Sequence, residues 1–301
     1  MDGDPATPFD NKVAFGTNGF RHFTRNITDW AASLGLNYIL RENVAVYVAG
    51  SRGYKMPALD EFLQATSEEQ VALFDSREVQ SVEGGVKAQV GGLSFTVNGF
   101  YTNLKNIISQ GAVTDTLTGG TVWVIRTSPE NRSYGAEIEA VAVPVEGLQL
   151  QGSATFLKAE LGGGVDSLRA FVGTRLAGVP SNLGNLVALY TVPRTSGFQL
   201  RADWHWVGSR FSESPLTRID QTKLPFYSYF NFGAGIAIPG AGVRLSLDLL
   251  NAFQSKGLEE GNPRLEAVGG APIFLARPLL PRRLQASVTY DFGGAPATSQ
   301  Q

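Results

Sequence analysis

Between residues 30 and 292, apolar and polar residues repeatedly alternate with a period of two, the spacing that puts them on opposite faces of a β-strand. The last copy, 282–292, sets Leu284, Ala286, Val288, Tyr290 and Phe292 against Gln285, Ser287, Thr289 and Asp291. The clearest copy sets Phe198, Leu200, Ala202, Trp204 and Trp206 against Gln199, Arg201, Asp203 and His205. Similar runs occupy 30–38, 81–90, 93–101, 136–140, 148–156 and 243–249, each bounded by turn residues. Runs of about nine to eleven residues are what a tilted strand needs to cross a hydrocarbon core. The pattern predicts an all-β chain of about eleven antiparallel strands, apolar on one face and polar on the other.

The connections alternate in length as well. Tight turns fall near residues 42, 91, 145, 195 and 240, and long loops span about 55–75, 111–120, 161–180, 210–225 and 251–281. An antiparallel meander then has its short turns at one end and its long loops at the other, as in an outer-membrane barrel with periplasmic turns and extracellular loops. A soluble sandwich has no reason to segregate them. Within the first long loop, PALDEFLQA at 57–65 predicts a short helix opened by Pro57, and residues 2–24 read as a loop. Trp30, Tyr38, Phe100, Tyr101, Phe156, Tyr190, Phe198, Trp204, Trp206, Phe226, Tyr227, Tyr229, Tyr290 and Phe292 gather near strand ends. Two aromatic girdles at the membrane interfaces would use residues so placed.

Composition narrows the class further. The 301 residues are 43% hydrophobic and 17% charged, yet mean hydropathy is −0.04, so apolar residues are interleaved and not collected into runs. No apolar stretch approaches the roughly 18 residues of a membrane helix. A net charge of −2 and the absence of cysteine give no basic footprint for nucleic acid and no disulfide framework. The opening MDGDPATPFDNK has neither the basic nor the apolar region of an export signal, so placement in an outer membrane implies a processed chain or part of a longer one.

Candidate chemistry is sparse. His205, Asp203 and Arg201 share a face, and strand residues two apart lie about 7 Å from each other, so a water could bridge the histidine and the aspartate. An outer-membrane hydrolase could use such a constellation; a polar barrel wall is the preferred reading. His22 has no partner to name. The inward charges Glu83, Lys87, Glu137, Glu139, Arg201, Arg244, Asp248 and Asp291 suit a lumen filled by water or a plug. Of the polar wall, Arg201, Asp203, His205, Arg244 and Asp248 are the candidate ligand contacts. The acidic loop residues Asp60, Glu61, Glu68, Glu69, Glu259 and Glu260 match no EF-hand spacing. The glycines at 162–164 and 233–235 open no helix that would hold a phosphate. No catalytic residue, metal site or cofactor site is expected.

Several motifs together resemble the C-terminal half of the barrel of TonB-dependent outer-membrane receptors. They are SRGYKMPALDEFL at 51–63, SVEGGVK at 81–87, VNGFYTNLKNII at 97–108, RSYGAEIEAVAVPVEGLQLQGSATFLKAEL at 132–161, LAGVPSNLGNLVALY at 176–190 and the final RRLQASVTYDF. Their order and spacing cover nearly the whole chain. The resemblance implies a ligand-gated importer in the Gram-negative outer membrane, an active transporter of a scarce nutrient such as a ferric siderophore. Its implied partners are outer-membrane lipid, the small-molecule ligand and the TonB system, reached through a plug domain that this chain does not show. Residues 1–292 then correspond to half of a 22-stranded barrel without plug or TonB box, and 293–301 to a polar tail. An odd strand count agrees with a partial barrel, since bacterial single-chain barrels have even counts and lipid does not tolerate open edges. The other reading is a small self-contained barrel, either a passive porin or a hydrolase. Ligand identity resides in loops and a plug, beyond what the alternation encodes.

Overall fold

The computed structural model describes residues 26–58, 74–114, 121–163, 172–195, 197–212, 222–265 and 272–292. The helix expected over 57–65, the loop at 2–24 with His22, and the tail at 293–301 fall wholly or largely outside them. In chain order the strands are β1 (Ala32–Arg41), β2 (Val44–Lys55), β3 (Arg77–Val90), β4 (Leu93–Thr114), β5 (Thr121–Val145), β6 (Leu148–Leu161), β7 (Asn182–Thr191) and β8 (Gln199–Val207). They continue as β9 (Arg210–Phe211), β10 (Lys223–Leu224), β11 (Tyr227–Ile238), β12 (Val243–Leu250), β13 (Leu258–Leu265), β14 (Pro272–Pro278) and β15 (Arg283–Tyr290). Eleven form one sheet in the order β1-β2-β3-β4-β5-β6-β7-β8-β11-β12-β15, every neighbour antiparallel. The other four make two small hairpins, β9 with β10 and β13 with β14.

Both hairpins lie in segments that read from sequence as loops, and the strands flanking residues 111–120 also run further than expected. Thr114 pairs with Thr121, and the ladder continues down to Leu93 opposite Ala142. The glycine and threonine content of that stretch resembles a loop, but a long two-stranded arm satisfies its backbone groups. The tight turns stand where the sequence placed them. Gly91 and Gly147 close two of them at φ 55° and 80°, a region a side chain disfavours.

Register fixes the faces, because residues directly opposite in a ladder point the same way. Leu36, Val48, Val86, Val97, Ile138, Ala154, Leu200, Ala234, Leu247 and Ala286 fall on one face, linked by direct pairings and by even offsets along β2, β3 and β8. That face is bare: Leu34 and Val288 are each 73% exposed. Among the described residues only Phe74, Ala159, Leu161, Leu224 and Ala252 are buried hydrophobics. A sheet with so much apolar surface outside and so little core inside is built for a hydrocarbon solvent.

Three expected girdle aromatics point the other way. Phe100 pairs with Glu83, Tyr227 with Val207 and Tyr229 with His205, all on the polar face. Position parity decides, and aromaticity alone does not. Trp30, Tyr101, Phe156 and Phe230 at one end, and Tyr38, Tyr190 and Tyr290 at the other, are outward and exposed.

Candidate functional site on the polar face

Four adjacent strands bring polar residues into one patch. One row sets Asn185, His205 and Tyr229 side by side; the next, Val187, Asp203 and Asn231; the next, Leu189, Arg201, Gly233 and Asp248. Arg201 grips Asp203 with a two-pronged contact: Nε donates to Oδ1 at 2.8 Å, and Nη2 lies 2.7 Å from Oδ2. The aspartate side chain is 4% exposed and the arginine 53%. A buried carboxylate needs such a partner, and the arginine, with five donors, keeps an open flank. A Cβ at Gly233 would lie 2.6 Å from Oδ1 of Asp248, so only glycine lets that carboxylate lean over β11 beside Arg201. His205 stacks on Tyr229 with ring centres 5.0 Å apart.

The candidates therefore separate. Arg201, Asp203, His205 and Asp248 are neighbours across three strands, whereas Arg244 sits opposite Thr289, four residues along β12 and so about 13 Å away. The hydrolytic pairing of His205 with Asp203 loses its carboxylate to Arg201, and the imidazole lies against a ring. Sequence reasoning missed Tyr229 and Asn231 as parts of this wall. Asn231 Oδ1 accepts from the backbone N–H of Asn251 at 2.9 Å. Asn251, at φ 47° and 4% exposed, in turn donates through Nδ2 to the carbonyls of Ser255 and Leu280. An asparagine directly after a strand was the available signal, since Asn tolerates the left-handed region and bonds nearby backbone.

A second polar stretch lies across β1 to β5. A hollow of about 840 Å³ is lined by Arg41, Tyr47, Lys87, Thr96 and Glu139 among others. Lys87 Nζ stands 4.9 Å over the Tyr47 ring, and Asn98 donates to Glu137 at 3.4 Å. Among the described residues no cluster of His, Asp or Glu could hold a metal ion. Glu259 and Glu260 instead face Arg277 at 3.2 and 3.4 Å.

At the long-loop end the outward face becomes charged. Arg52 binds Asp29 at 2.7 Å and Glu78 at 2.6 Å, and its guanidinium lies 4.3 Å from the Trp30 ring. Hydrogen bonds from Ser76, Arg52 and the Trp30 N–H lower the Asp29 carboxyl from its ordinary 3.8 to about 2. Further round the rim, Glu130 accepts from Arg132, Asn103 and the Gly163 N–H. The charged rim marks where hydrocarbon ends.

An antiparallel meander with a lipophilic outer face, a polar inner face, tight turns at one end and long loops at the other is a sector of a transmembrane β-barrel wall. Residues 7–252 match the family model described as TonB dependent receptor-like, beta-barrel, and the chain belongs to that family. No curated protein sequence matches it. Among solved structures it is similar to the ferric-catecholate import receptor Fiu of E. coli K12, at 20% identity and a TM-score of 0.63 over 85% of this chain and 34% of that one. It is also similar to the ferric yersiniabactin uptake receptor FyuA of Yersinia pestis, at 15% identity and a TM-score of 0.65 over 87% and 37%. The copper transporter OprC aligns at 13% identity and a TM-score of 0.68 over 86% and 39%. The chain thus spans between 34% and 39% of the length of these three proteins. At such identities the likeness concerns the fold.

Proposed function

We propose that the chain is a wall sector of an outer-membrane receptor that imports a metal chelate of the ferric siderophore class, driven through TonB. The observation that carries this reading is the separation of faces within a family-matched barrel: lipophilic outside, ionised inside, with long loops at one end. On the inner face, the open flank of Arg201, the Asp248 carboxylate and the stacked His205 and Tyr229 offer charge and aromatic surface to a ligand or plug. Arg244 belongs to the opposite end of that wall. Membrane lipid, a TonB-coupled plug and the chelate are the proposed partners.

Two measurements test the proposal on the protein expressed from its complete gene. Outer-membrane fractionation should recover it with the lipopolysaccharide-bearing membranes, and iron-restricted cells should take up a labelled ferric chelate only when TonB is intact. Uptake that persists without TonB would favour the passive porin, and hydrolysis of an ester substrate abolished by His205→Ala would favour the enzyme.

A further inference from the structure

The apolar face is not smooth. Ala140 on β5 and Gly152 and Ala154 on β6 floor a groove of about 300 Å³, walled by Ile138, by Leu186 on β7 and by Trp204 on β8. Ladder rows explain its shape. Ala140, Gly152, Leu186 and Trp204 lie in one row and Ile138, Ala154, Gly184 and Trp206 in the next, so small residues stand between large ones. The Trp206 ring lies on Gly184, where a Cβ would come within 2.2 Å of it, and Trp204 packs beside it with ring centres 4.7 Å apart.

Two cations stand above this groove on the same outward face. Past Phe156, Lys158 and Arg132 project with side chains 41% and 40% exposed. Lys158 pairs with Glu160 and lies 5.8 Å from the Tyr134 ring, and Arg132 binds Glu130 at 2.8 Å. These contacts fix the two groups in place, while an ammonium has three donors and a guanidinium five, leaving some for another anion. Lys158 is four residues beyond Ala154, about 13 Å along β6, a distance that a lipid chain and its headgroup together cover.

We propose that this groove seats one acyl chain of an outer-leaflet lipid whose phosphorylated headgroup meets Lys158 and Arg132. The inference rests on the outer-membrane reading above, which makes hydrocarbon the medium on this face. Charge complementarity selects the occupant, because a phosphorylated lipid fills the apolar slot and supplies the anion at its upper end together.

Native mass spectrometry of the protein purified from outer membranes in mild detergent tests it. The wild type should retain one lipid per chain. Ala154→Leu and Ala140→Leu, which fill the groove, should abolish retention, while Val97→Leu, outward but away from the groove, should leave it unchanged. Lys158→Gln should lower the retained fraction about fivefold, the worth of one basic residue at an anionic surface. Heat-modifiable gel mobility identifies any variant that fails to fold, and the remaining variants then decide. Undiminished lipid in the folded filling variants overturns the proposal, as does a loss of dimer with lipid unchanged, which would assign the groove to a second copy. Recovery of the wild type outside the outer membrane would instead count against the functional reading on which the site rests.

Discussion

At Asp29 donors from Ser76, Arg52 and the Trp30 backbone meet on one carboxylate. Its folded pKa lies below the ordinary value, so the stability it contributes is fully present above 3.8 and is lost as pH falls through about 2. The protection factor of the Trp30 amide against hydrogen exchange should therefore hold down to about pH 4 and fall below it. Asp29→Asn should flatten this profile; an unchanged profile in the variant would show that another group controls the rim. A second residue-scale test concerns Gly184, where a Cβ would lie 2.2 Å from the Trp206 ring and 2.4 Å from the Ser153 carbonyl oxygen. Gly184→Ala should shift the tryptophan emission and cost roughly 1–3 kcal/mol by overpacking, read from urea unfolding in lipid vesicles. Emission and stability both matching wild type would mean that the ring does not lie where this packing puts it. Neither feature is legible in sequence, since one depends on residues 23 to 47 positions apart and the other on register across two ladders.

Among the elements, β12 shows how far alternation alone reaches. Alternation puts Val243, Leu245, Leu247 and Leu249 on one apolar side, and the ladder sets Leu247 between Ala234 and Ala286 on the bare face. Ser246 lies between Gly235 and Ser287 on the other. Leu247→Arg should cost roughly 2–4 kcal/mol near the midplane, and Ser246→Arg much less, in reversible unfolding from lipid. Equal costs would contradict the register. The same parity rule was available for Phe100, Tyr227 and Tyr229, whose aromatic character suggested a girdle while their positions placed them inside. It failed for a different reason at β13 and β14. LEEGNPRL does not alternate cleanly and carries Gly261 and Pro263, both poor strand residues, so only the pairing with β14 reveals a hairpin. On the inner wall, the sequence placed Arg201, Asp203 and His205 on one face correctly. It could not say that Arg201 would take the carboxylate, nor that Tyr229 on β11 would take the imidazole, because partners across a ladder depend on register.

For the whole molecule, topology limits what this sheet does alone. Among the described residues ten antiparallel steps separate β1 from β15, so the two edge strands of that sheet run in the same direction. Closing the sheet on itself, or on a second copy in the same orientation, would require a parallel seam. Left open, the edges expose unpaired N–H and C=O groups that cost several kcal/mol each in hydrocarbon and invite edge-to-edge pairing. The 301-residue polypeptide, refolded by itself in detergent, should therefore form heterogeneous oligomers and give no uniform conductance steps in a planar bilayer. The complete receptor of the proposal above should instead be monomeric and closed. A parallel trial decides between the two readings of the sequence. Reproducible unit conductance from monomeric 301-residue chain would show that eleven strands close after all and would restore the self-contained porin. Sizing that finds only edge-paired assemblies, dispersed by a strand-breaking Leu36→Pro in β1, would tie the failure to the open edge itself.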